Sequence, residues 1–332
     1  MPDHLRRAAL QHLLRYQLRR STRRLGLTPS FGNTEASRTR HRADVTLVRE
    51  RGRIHFGLPP DPTHMVFAQR EVITAYLYLL LHCPPSVTAM TCDCSDGHEA
   101  SEARFSPSSR NPRAIPVPDH YFILRNGFAA ERAMAEAAAV AWADRRDTIV
   151  WRGGANGEGI HPVSQADATN PRVIQRARLC MLAGSIPNLE AKLTSGQGPE
   201  RGLEAFALSG LTGTPRPERE WLGDKFAIDI DGWTNAWSNL LIRMHFGCCV
   251  LKVASADGYR QWWYDRLRPW EHFIPVRADM ADLAEKVDWV RSNDVEAKAI
   301  ASRGQQLARS MTLASETAIA VQIIEQNWNT TG

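Results

Sequence analysis

Three segments of the sequence combine residue types that could do chemistry with a position just after an apolar run. They are the acidic loop Cys92–Gly97, the glycine-rich turn Arg152–Gly157 and the segment Asp229–Ser238. Each apolar run predicts a buried strand. Ligands of open α/β sheets bind beyond the carboxyl ends of strands, so these three strand ends are the candidate binding positions.

The acidic loop holds two aspartates, Asp93 and Asp96, and Gly97 follows the second. A carboxylate presented after a strand can act as a general base that accepts the proton of a hydroxyl group. The alternative is a solvated acidic loop that also includes Glu99 and Glu102. The residue pattern alone leaves both interpretations open.

The glycine-rich turn contains Gly153, Gly154 and Gly157 next to Arg152. Glycines let the backbone approach a phosphate closely, and a guanidinium group can neutralise its charge. The turn lacks the Gly-Lys-Ser/Thr ending of a P-loop and the spacing of a dinucleotide-binding fingerprint. It therefore indicates an anion site without naming the anion.

Asp229 and Asp231 form an Asp-x-Asp pattern at the end of an apolar run. Such a pair could hold Mn²⁺ or Mg²⁺ together with a diphosphate. The alternative is that Asp231 and Gly232 form a turn while Asp229 caps or pairs locally. No cysteine or histidine pair stands at zinc-site spacing, so we expect no structural zinc.

Strand and helix patterns alternate along the chain, which predicts an α/β protein with parallel sheets. The expected strands are Val45–Val48, Arg53–Phe56, Ser86–Thr91, Tyr121–Leu124, Thr148–Trp151, Lys225–Ile230, Cys249–Val253 and Phe273–Val276. The expected helices are 3–24, Phe67–His82, 129–146, Arg172–Leu182, Asn235–His245, Gly258–Asp265, Asp279–Ser292, Val295–Arg309 and Ser315–Trp328. Residues 25–45 are polar and rich in turn formers, which predicts a loop.

The chain has 332 residues, more than one hydrophobic core usually supports. We therefore expect two domains, 1–140 and 141–332, with the last helix crossing back to the first. Hydrophobic residues make up 43% and charged residues 23%, as in an ordinary globular protein.

Positive charge is concentrated at one end of the chain. Residues 1–53 contain thirteen arginines and four acidic residues, whereas the formal net charge of the whole chain is only +5. The leucines of residues 3–24 recur at helical spacing between arginines, which predicts a basic helix. Such a helix suits an anionic partner, either a phospholipid surface or a nucleic acid, or it is simply a solvated face.

No apolar run is long enough to span a bilayer, and no apolar signal region follows Arg6 and Arg7. The six cysteines, which include Cys92-x-Cys94 and Cys248-Cys249, do not resemble a secreted disulfide framework. We therefore expect reduced thiols and a cytoplasmic protein that could lie at the inner face of a membrane.

The most distinctive segment is the aromatic run Trp262–Val276, which ends Leu-Arg-Pro-Trp-Glu-His-Phe-Ile-Pro-Val and is followed by Asp279-Met-Ala-Asp-Leu283. This segment resembles glycosyltransferase family 90. The turn at Trp151, the segment Lys225–Ser238 and Val250-Leu251-Lys252 resemble the same family. Together these resemblances cover roughly residues 90–310.

The resemblance implies a GT-B-like fold of two Rossmann-like domains facing a cleft, with a UDP-sugar bound in the C-terminal domain. It also implies transfer with inversion at the anomeric carbon and no bound metal, which disfavours the metal interpretation of Asp229 and Asp231. The expected donor sugar is glucose or xylose. The expected acceptor is a hydroxyl group of a cell-surface glycan or of a lipid-linked precursor of lipopolysaccharide or capsule.

The resemblance also implies roles for single residues. Asp96 matches the family's catalytic base, with Asp93 as the alternative. The family's Arg-Gly-Ser turn at the donor corresponds to Arg152, Gly153 and Gly154, with glycine in place of the serine. Its diphosphate-binding arginine corresponds to Arg176, with Arg172 and Arg178 as competitors.

The family's donor loop corresponds to a continuous segment of eight residues. These are Asp231, Gly232, Trp233, Thr234, Asn235, Ala236, Trp237 and Ser238. Animal members carry an arginine two positions after the serine, where this chain has Leu240, so we expect Arg243 to substitute or the diphosphate to be held differently.

Two other classes of function remain open from the sequence. One is a protein O-glucosyltransferase or O-xylosyltransferase, which is also an enzyme. The other is a non-catalytic protein that binds carbohydrate or, through the arginine-rich end, nucleic acid. Because that charge lies outside the region of the motifs, we expect no nucleic-acid partner.

Overall fold

A computed structural model describes residues 3–33, 43–60, 69–97, 101–138, 140–162, 164–194 and 210–329. The chain divides into two compact units. The first comprises 1–127, 260–262 and 312–332, and the second comprises 128–259 and 263–311. The division thus falls after Gly127 instead of near residue 140, and residues 141–332 do not form one continuous domain.

The first unit is built from helices on a mixed sheet. Its helices are α1 (Asp3–Arg24), α2 (Gln69–His82), α3 (His120–Leu124) and, from the end of the chain, α9 (Leu313–Asn327). Its strands are β1 (Thr28–Asn33), β2 (Asp44–Glu50), β3 (Arg53–Leu58), β4 (Ala89–Asp93), β5 (Phe105–Ser106) and β6 (Ile115–Pro116). Residues 67 and 68, where α2 was expected to begin, lie outside the described residues, as does Glu99.

The strands of this sheet follow the order β1-β3-β2-β4-β5-β6. The pairs β2–β3 and β2–β4 are antiparallel, and the other pairs are parallel. Helix α9 packs against α2, and the hydroxyl groups of Tyr78 and Thr317 lie 3.3 Å apart. The last helix is therefore an integral part of the first unit.

The second unit is a parallel sheet with helices. Its strands are β7 (Ile149–Gly153), β8 (Leu189–Leu193), β9 (Phe226–Asp229), β10 (Cys249–Val253) and β11 (Ile274–Val276). Its helices are α4 (Ala129–Ala137), α5 (Gln175–Ala183), α6 (Asn239–His245), α7 (Leu283–Ser292) and α8 (Asp294–Ser310).

All strand pairs of this sheet are parallel, in the order β11-β10-β9-β7-β8. The chain runs from β7 outward to β8 on one side and then returns to β9 on the other side of β7. The strand order therefore reverses between β7 and β9. Every residue of β9 and β10 is buried, as expected when helices cover both faces of a parallel sheet. The predicted α/β class is confirmed.

Several local predictions are wrong; the helix expected over 129–146, for example, ends at Ala137. Residues Tyr121–Leu124 belong to helix α3, because the Asp119 side chain accepts a hydrogen bond from the Phe122 N–H and caps the helix start. Residues Gly258–Asp265 do not form an α-helix, since Arg260 instead pairs with Ser109 in the first unit. Part of the expected loop 25–45 is strand β1, because pairing with β3 outweighs its turn-forming composition.

All six cysteines are buried and are free thiols. Burial raises the pKa of Cys83 to about 11 and that of Cys180 and Cys248 to about 12. Among the described residues, each helix is too short or too polar to cross a lipid bilayer.

Candidate functional site

A cavity of about 450 Å³ opens beyond the carboxyl ends of β7 and β9 in the second unit. Its walls come from residues 156–160 after β7, residues 171–178 around the start of α5, residues 231–233 after β9 and residues 256–259 after β10. This is the position at which the strand order of the sheet reverses. Ligands of open α/β sheets bind at such a point.

The glycine-rich turn is shaped by its own neighbours. A Cβ on Gly153 would lie 2.5 Å from the indole ring of Trp151, so only glycine fits there. Gly159 has a φ of +135°, and a Cβ on it would lie 2.6 Å from the Arg172 carbonyl oxygen. The close packing at these two glycines brings Asn156 and Glu158 to the cavity wall.

Arg176 joins the loops that follow β7 and β9. Its guanidinium group donates hydrogen bonds to the carbonyl oxygens of Gly154 (3.2 Å), Ile230 (3.2 Å) and Asp231 (2.9 Å). It also lies over the Trp151 ring, 5.7 Å from the centroid. Three of its five N–H groups therefore serve to hold the two loops together.

Two other arginines line the cavity, and they differ in exposure. Arg178 is 5% exposed and donates to the carbonyl oxygens of Ala168 (3.2 Å) and Asp279 (2.6 Å). Arg172 is an exposed side chain of the lining. Of the three arginines considered from the sequence, Arg172 is thus the one that is both exposed and part of the cavity lining.

The loop after β9 presents a buried carboxylate to the cavity. Asp231 is 6% exposed, and its Oδ1 accepts a hydrogen bond from the Asn235 amide at 3.4 Å. Within the described part of the chain, its Oδ2 has no hydrogen-bond partner. Burial raises the pKa of Asp231, and the nearby Lys252 ammonium opposes that shift. This oxygen is itself buried, so it is an unpaired acceptor that the cavity surface does not expose.

Trp233 is the exposed aromatic side chain of this wall, at 54% exposure. Thr234 and Asn235 are buried beneath it, and Asn235 donates to the Tyr259 carbonyl oxygen at 3.2 Å. The remaining expected donor-loop residues, Ala236, Trp237 and Ser238, lead into α6 and do not belong to the cavity lining.

Asp229 is occupied by a different interaction. It is fully buried, its Oδ2 lies 3.0 Å from the Lys252 ammonium nitrogen, and its Oδ1 accepts from the Asn239 amide at 2.9 Å. Burial disfavours the charged form of Lys252, but Tyr264, Asp229 and Asp231 outweigh it and raise the pKa of this lysine. Asp229 and Asp231 therefore differ in role, although they are two residues apart.

The structure does not bring Arg152 to the cavity. Its guanidinium group pairs with the Glu190 carboxylate and donates to the carbonyl oxygens of Trp151 (2.9 Å) and Glu190 (3.2 Å). Glu190 belongs to β8, so the side chain extends sideways across the sheet.

The Arg243 side chain also lies away from the position that its expected role requires. Its guanidinium carbon lies 3.8 Å from the centroid of the Trp221 ring, and burial lowers its pKa to about 10. Trp221 precedes β9, at the opposite end of the sheet from the cavity, so the structure does not bring Arg243 to the cavity. Leu240 itself is fully buried.

The two candidate bases lie in the first unit and have contrasting environments. Asp93 is 1% exposed; its Oδ1 accepts from the Ser95 N–H at 2.7 Å and its Oδ2 accepts from the Ser106 hydroxyl at 3.2 Å. Burial raises the pKa of Asp93 to about 6. Asp96 is half-buried, so of the two carboxylates it is the one accessible to a substrate.

The cavity wall that follows β10 contains no residue predicted from the sequence to bind a ligand. Asp257 and Tyr259 line the cavity there. The rule that ligands bind at strand ends, applied to the correctly predicted strand Cys249–Val253, would have identified this segment.

Comparison with known proteins gives a family match. The model of the family described as Glycosyl transferase family 90 matches residues 125–317, more than half of the chain.

Relatives with similar sequences include viral and animal proteins. Uncharacterized protein 179R of Invertebrate iridescent virus 6 is 30% identical over 181 residues, which are 48% of this chain and 15% of that protein. Protein O-glucosyltransferase 3 of Rattus norvegicus is 38% identical over 87 residues, which are 26% of this chain and 16% of that protein. The chain covers only 8% to 18% of the length of the curated relatives it matches.

Solved structures with similarity include Anabaena HepE in complex with UDP-glucose. That match has 11% identity and a TM-score of 0.38, and it covers 60% of this chain and 53% of the other. Sucrose-phosphate synthase from Thermosynechococcus elongatus matches with 13% identity and a TM-score of 0.37, over 66% of this chain and 52% of the other.

Proposed function

The chain belongs to glycosyl transferase family 90, and from this premise we propose that it transfers a sugar from a UDP-sugar to an acceptor hydroxyl group. The observation that carries the proposal is the cavity at the β7–β9 reversal of the parallel sheet. Its walls contain a basic side chain, a carboxylate and an aromatic ring. These groups suit, in that order, a diphosphate, the hydroxyl groups of a sugar or ribose, and a base.

Each of these groups has a proposed role. Arg172 neutralises the diphosphate. The Asp231 carboxylate accepts a hydrogen bond from a hydroxyl group of the donor. Trp233 gives the uracil ring a surface for stacking. Arg176 holds the loops in position, and its direct contact with the diphosphate is secondary to that role.

The proposed reaction inverts the anomeric carbon in one displacement. The acceptor oxygen forms a bond to the anomeric carbon while its proton passes to the Asp96 carboxylate. The bond between the anomeric carbon and the diphosphate oxygen breaks, and UDP leaves with the electron pair. Groups that stabilise the negative charge developing on UDP would lower the activation barrier of the transfer.

We propose that the reaction needs no metal ion. Support comes from Asp229, since the Lys252 ammonium and the Asn239 amide contact its two oxygens. This leaves Asp231 as the carboxylate of the Asp-x-Asp pair that faces the cavity. Among the described residues, no three histidine, cysteine, aspartate or glutamate side chains are grouped so that they could hold a metal ion.

The proposed donor sugar is glucose or xylose, and the proposed acceptor is a glycan or lipid-linked precursor of lipopolysaccharide or capsule at the cytoplasmic face of a membrane. A protein acceptor is the second candidate. It is favoured by the 41% identity over 86 residues to Protein O-glucosyltransferase 2 of Danio rerio.

The test is UDP release from a panel of UDP-sugars, with and without EDTA, for the wild type and for Asp96→Asn. We expect slow hydrolysis of one donor that EDTA does not change and that the substitution abolishes. Loss of turnover with EDTA would restore the metal interpretation of Asp229 and Asp231.

Calorimetric titration with UDP separates binding from chemistry. Binding without turnover, with either glycan or peptide acceptors, would indicate a non-catalytic carbohydrate-binding protein. If UDP does not bind at all, the proposed function is wrong.

A further inference from the structure

Helix α1 has two apolar sides, and only one of them packs against other elements of the first unit. Leu14 and Leu18 are 3% and 1% exposed, and the helix packs against β1 and α2. Gln11 on the same side donates hydrogen bonds to the carbonyl oxygens of Pro59 (2.9 Å) and Pro60 (3.0 Å). This side fixes the orientation of the helix in its unit.

The opposite side exposes large apolar groups to solvent. Leu5 is 49% exposed, Leu13 50% and Tyr16 57%. At about 100° per residue, these three side chains lie within an arc of roughly 80°, on the other side of the helix from Leu14 and Leu18. Leucines 13 and 14, which are neighbours in the sequence, therefore have opposite environments.

The same arc is strongly basic. Arg6, Arg20, Arg23 and Arg24 are all exposed and lie at or within about 20° of the apolar arc. The sequence of α1 contains seven arginines and one acidic residue, Asp3. Arg19 is held differently, since its guanidinium carbon lies 5.2 Å from the centroid of the Phe31 ring. The exposed face of α1 is thus apolar in its middle and cationic around it.

We propose that this face of α1, consisting of Leu5, Leu13, Tyr16 and the arginines around them, binds an anionic phospholipid surface. The charge calls for an anionic partner, and the leucines and the tyrosine distinguish a lipid interface from a nucleic acid. Apolar side chains enter the boundary between headgroups and acyl chains, while arginines extend to the phosphates. The proposal does not depend on the transferase activity, because vesicle binding can be measured without any donor.

The test is cosedimentation of the full chain with vesicles of phosphatidylcholine alone and of equal parts phosphatidylcholine and phosphatidylglycerol. We expect binding to the anionic vesicles only, weakened by added salt. Arg20→Gln with Arg23→Gln removes two charges and should weaken binding about 30-fold, since each basic residue near the surface contributes about 1 kcal/mol. Leu13→Ser with Tyr16→Ser should weaken it by a similar or larger factor.

Matched controls remove the same groups elsewhere. Val295→Ser removes a side chain that is 77% exposed in the second unit, and Arg219→Gln with Arg268→Gln removes two charges there. Both control variants should bind like the wild type. Thermal unfolding of every variant checks that the exposed substitutions leave the fold intact.

Equal binding to neutral vesicles, or unchanged binding of both α1 variants, would overturn the proposal. So would binding to duplex DNA in preference to anionic vesicles with no effect of Leu13→Ser and Tyr16→Ser, since that result would indicate a nucleic-acid face.

Discussion

The Lys252 ammonium nitrogen lies 3.0 Å from Asp229 Oδ2, and both side chains are buried at the carboxyl ends of adjacent strands. Both charges of the pair act on the nearby Asp231 carboxylate. The pair keeps a charged carboxylate inside the sheet and away from the ligand cavity.

Removing one partner of this pair should be more harmful than removing both. Lys252→Met leaves the Asp229 carboxylate buried without a counter-charge, which should lower the free energy of unfolding by about 3–5 kcal/mol. Lys252→Met combined with Asp229→Asn removes both charges and should cost less than Lys252→Met alone. Urea unfolding of the single and double variants measures the coupling, and a loss below about 1 kcal/mol for Lys252→Met would contradict this account.

Substitution of Asp96 should affect turnover, whereas substitution of Asp93 should affect the pH dependence of stability. Asp96→Asn should lower turnover about 10²–10⁴-fold with little effect on stability. Asp93→Asn should keep turnover within a few-fold, because the Asp93 carboxylate is enclosed and its hydrogen-bond partners are internal.

The pH effect at Asp93 follows from its raised pKa. The folded state holds the Asp93 proton up to about pH 6, whereas the ordinary value is 3.8, so this group stabilises the fold at low pH and the contribution is lost as the pH rises from about 4 to 6. The Asp93→Asn variant should lack this loss, which amounts to about 3 kcal/mol at about 1.4 kcal/mol per pKa unit. Urea unfolding of wild type and variant at pH 4 and pH 7 measures the difference, and parallel pH dependences would refute the assignment.

Arg176 and Arg172 should differ in what they contribute. Arg176→Met removes three hydrogen bonds to backbone carbonyl oxygens and should lower the free energy of unfolding by about 2–4 kcal/mol. Arg172→Met should change stability by less than about 0.5 kcal/mol but weaken UDP binding about tenfold or more. The control is Arg219→Met, an exposed arginine outside the cavity lining. If Arg172→Met binds UDP like the wild type, the diphosphate is held elsewhere.

Trp233 should report on the bound base. Trp233→Ala should weaken UDP binding by a factor of about 5–150, as expected for the loss of one aromatic stacking surface. Trp270→Ala removes another partly exposed tryptophan of the second unit, 41% exposed, and should leave the UDP affinity unchanged. Quenching of tryptophan fluorescence on UDP addition should persist in Trp270→Ala and diminish in Trp233→Ala; the reverse pattern would exclude stacking on Trp233.

Gly97 should be the most sensitive position of the acidic loop. Its φ is +92°, and a Cβ would lie 2.0 Å from the Ser108 carbonyl oxygen, so Gly97→Ala must shift backbone next to Asp96. Gly52→Ala is the matched control, since its φ is +74° and the space around its Cβ is open. Gly52→Ala should lower the free energy of unfolding by about 1–2 kcal/mol, and Gly97→Ala should lower it clearly more. Urea unfolding measures both changes. Equal losses would mean that the backbone at Gly97 adapts without strain.

The sequence predicted the second unit better than the first. Apolar runs identified β7, β9 and β10, because fully buried parallel strands have continuous hydrophobic sequences. Strand β1 was missed because its partner, β3, is distant in the sequence and the segment itself contains Pro29 and Gly32. Strand β8, with the sequence Leu-Glu-Ala-Lys-Leu, alternates in burial and was not recognised.

The candidate site was predicted in the same uneven way. The glycine-rich turn and the start of the Asp231 loop do line one cavity, because both follow strands at the point where the order reverses. The structure does not bring Arg152 or Arg243 to this cavity, and position in the sequence does not reveal the direction of a side chain. One crosses to Glu190 on the unrecognised strand β8, and the other lies on a helix that leads away from the cavity.

The division of the chain has a consequence for its synthesis on the ribosome. Helix α2 emerges before α9, which packs against it and begins about 190 residues after the first segment of the first unit ends. At the usual 5–20 residues per second this delay is about 10–40 s. During that time the surface of α2 that α9 later covers is exposed to other contacts.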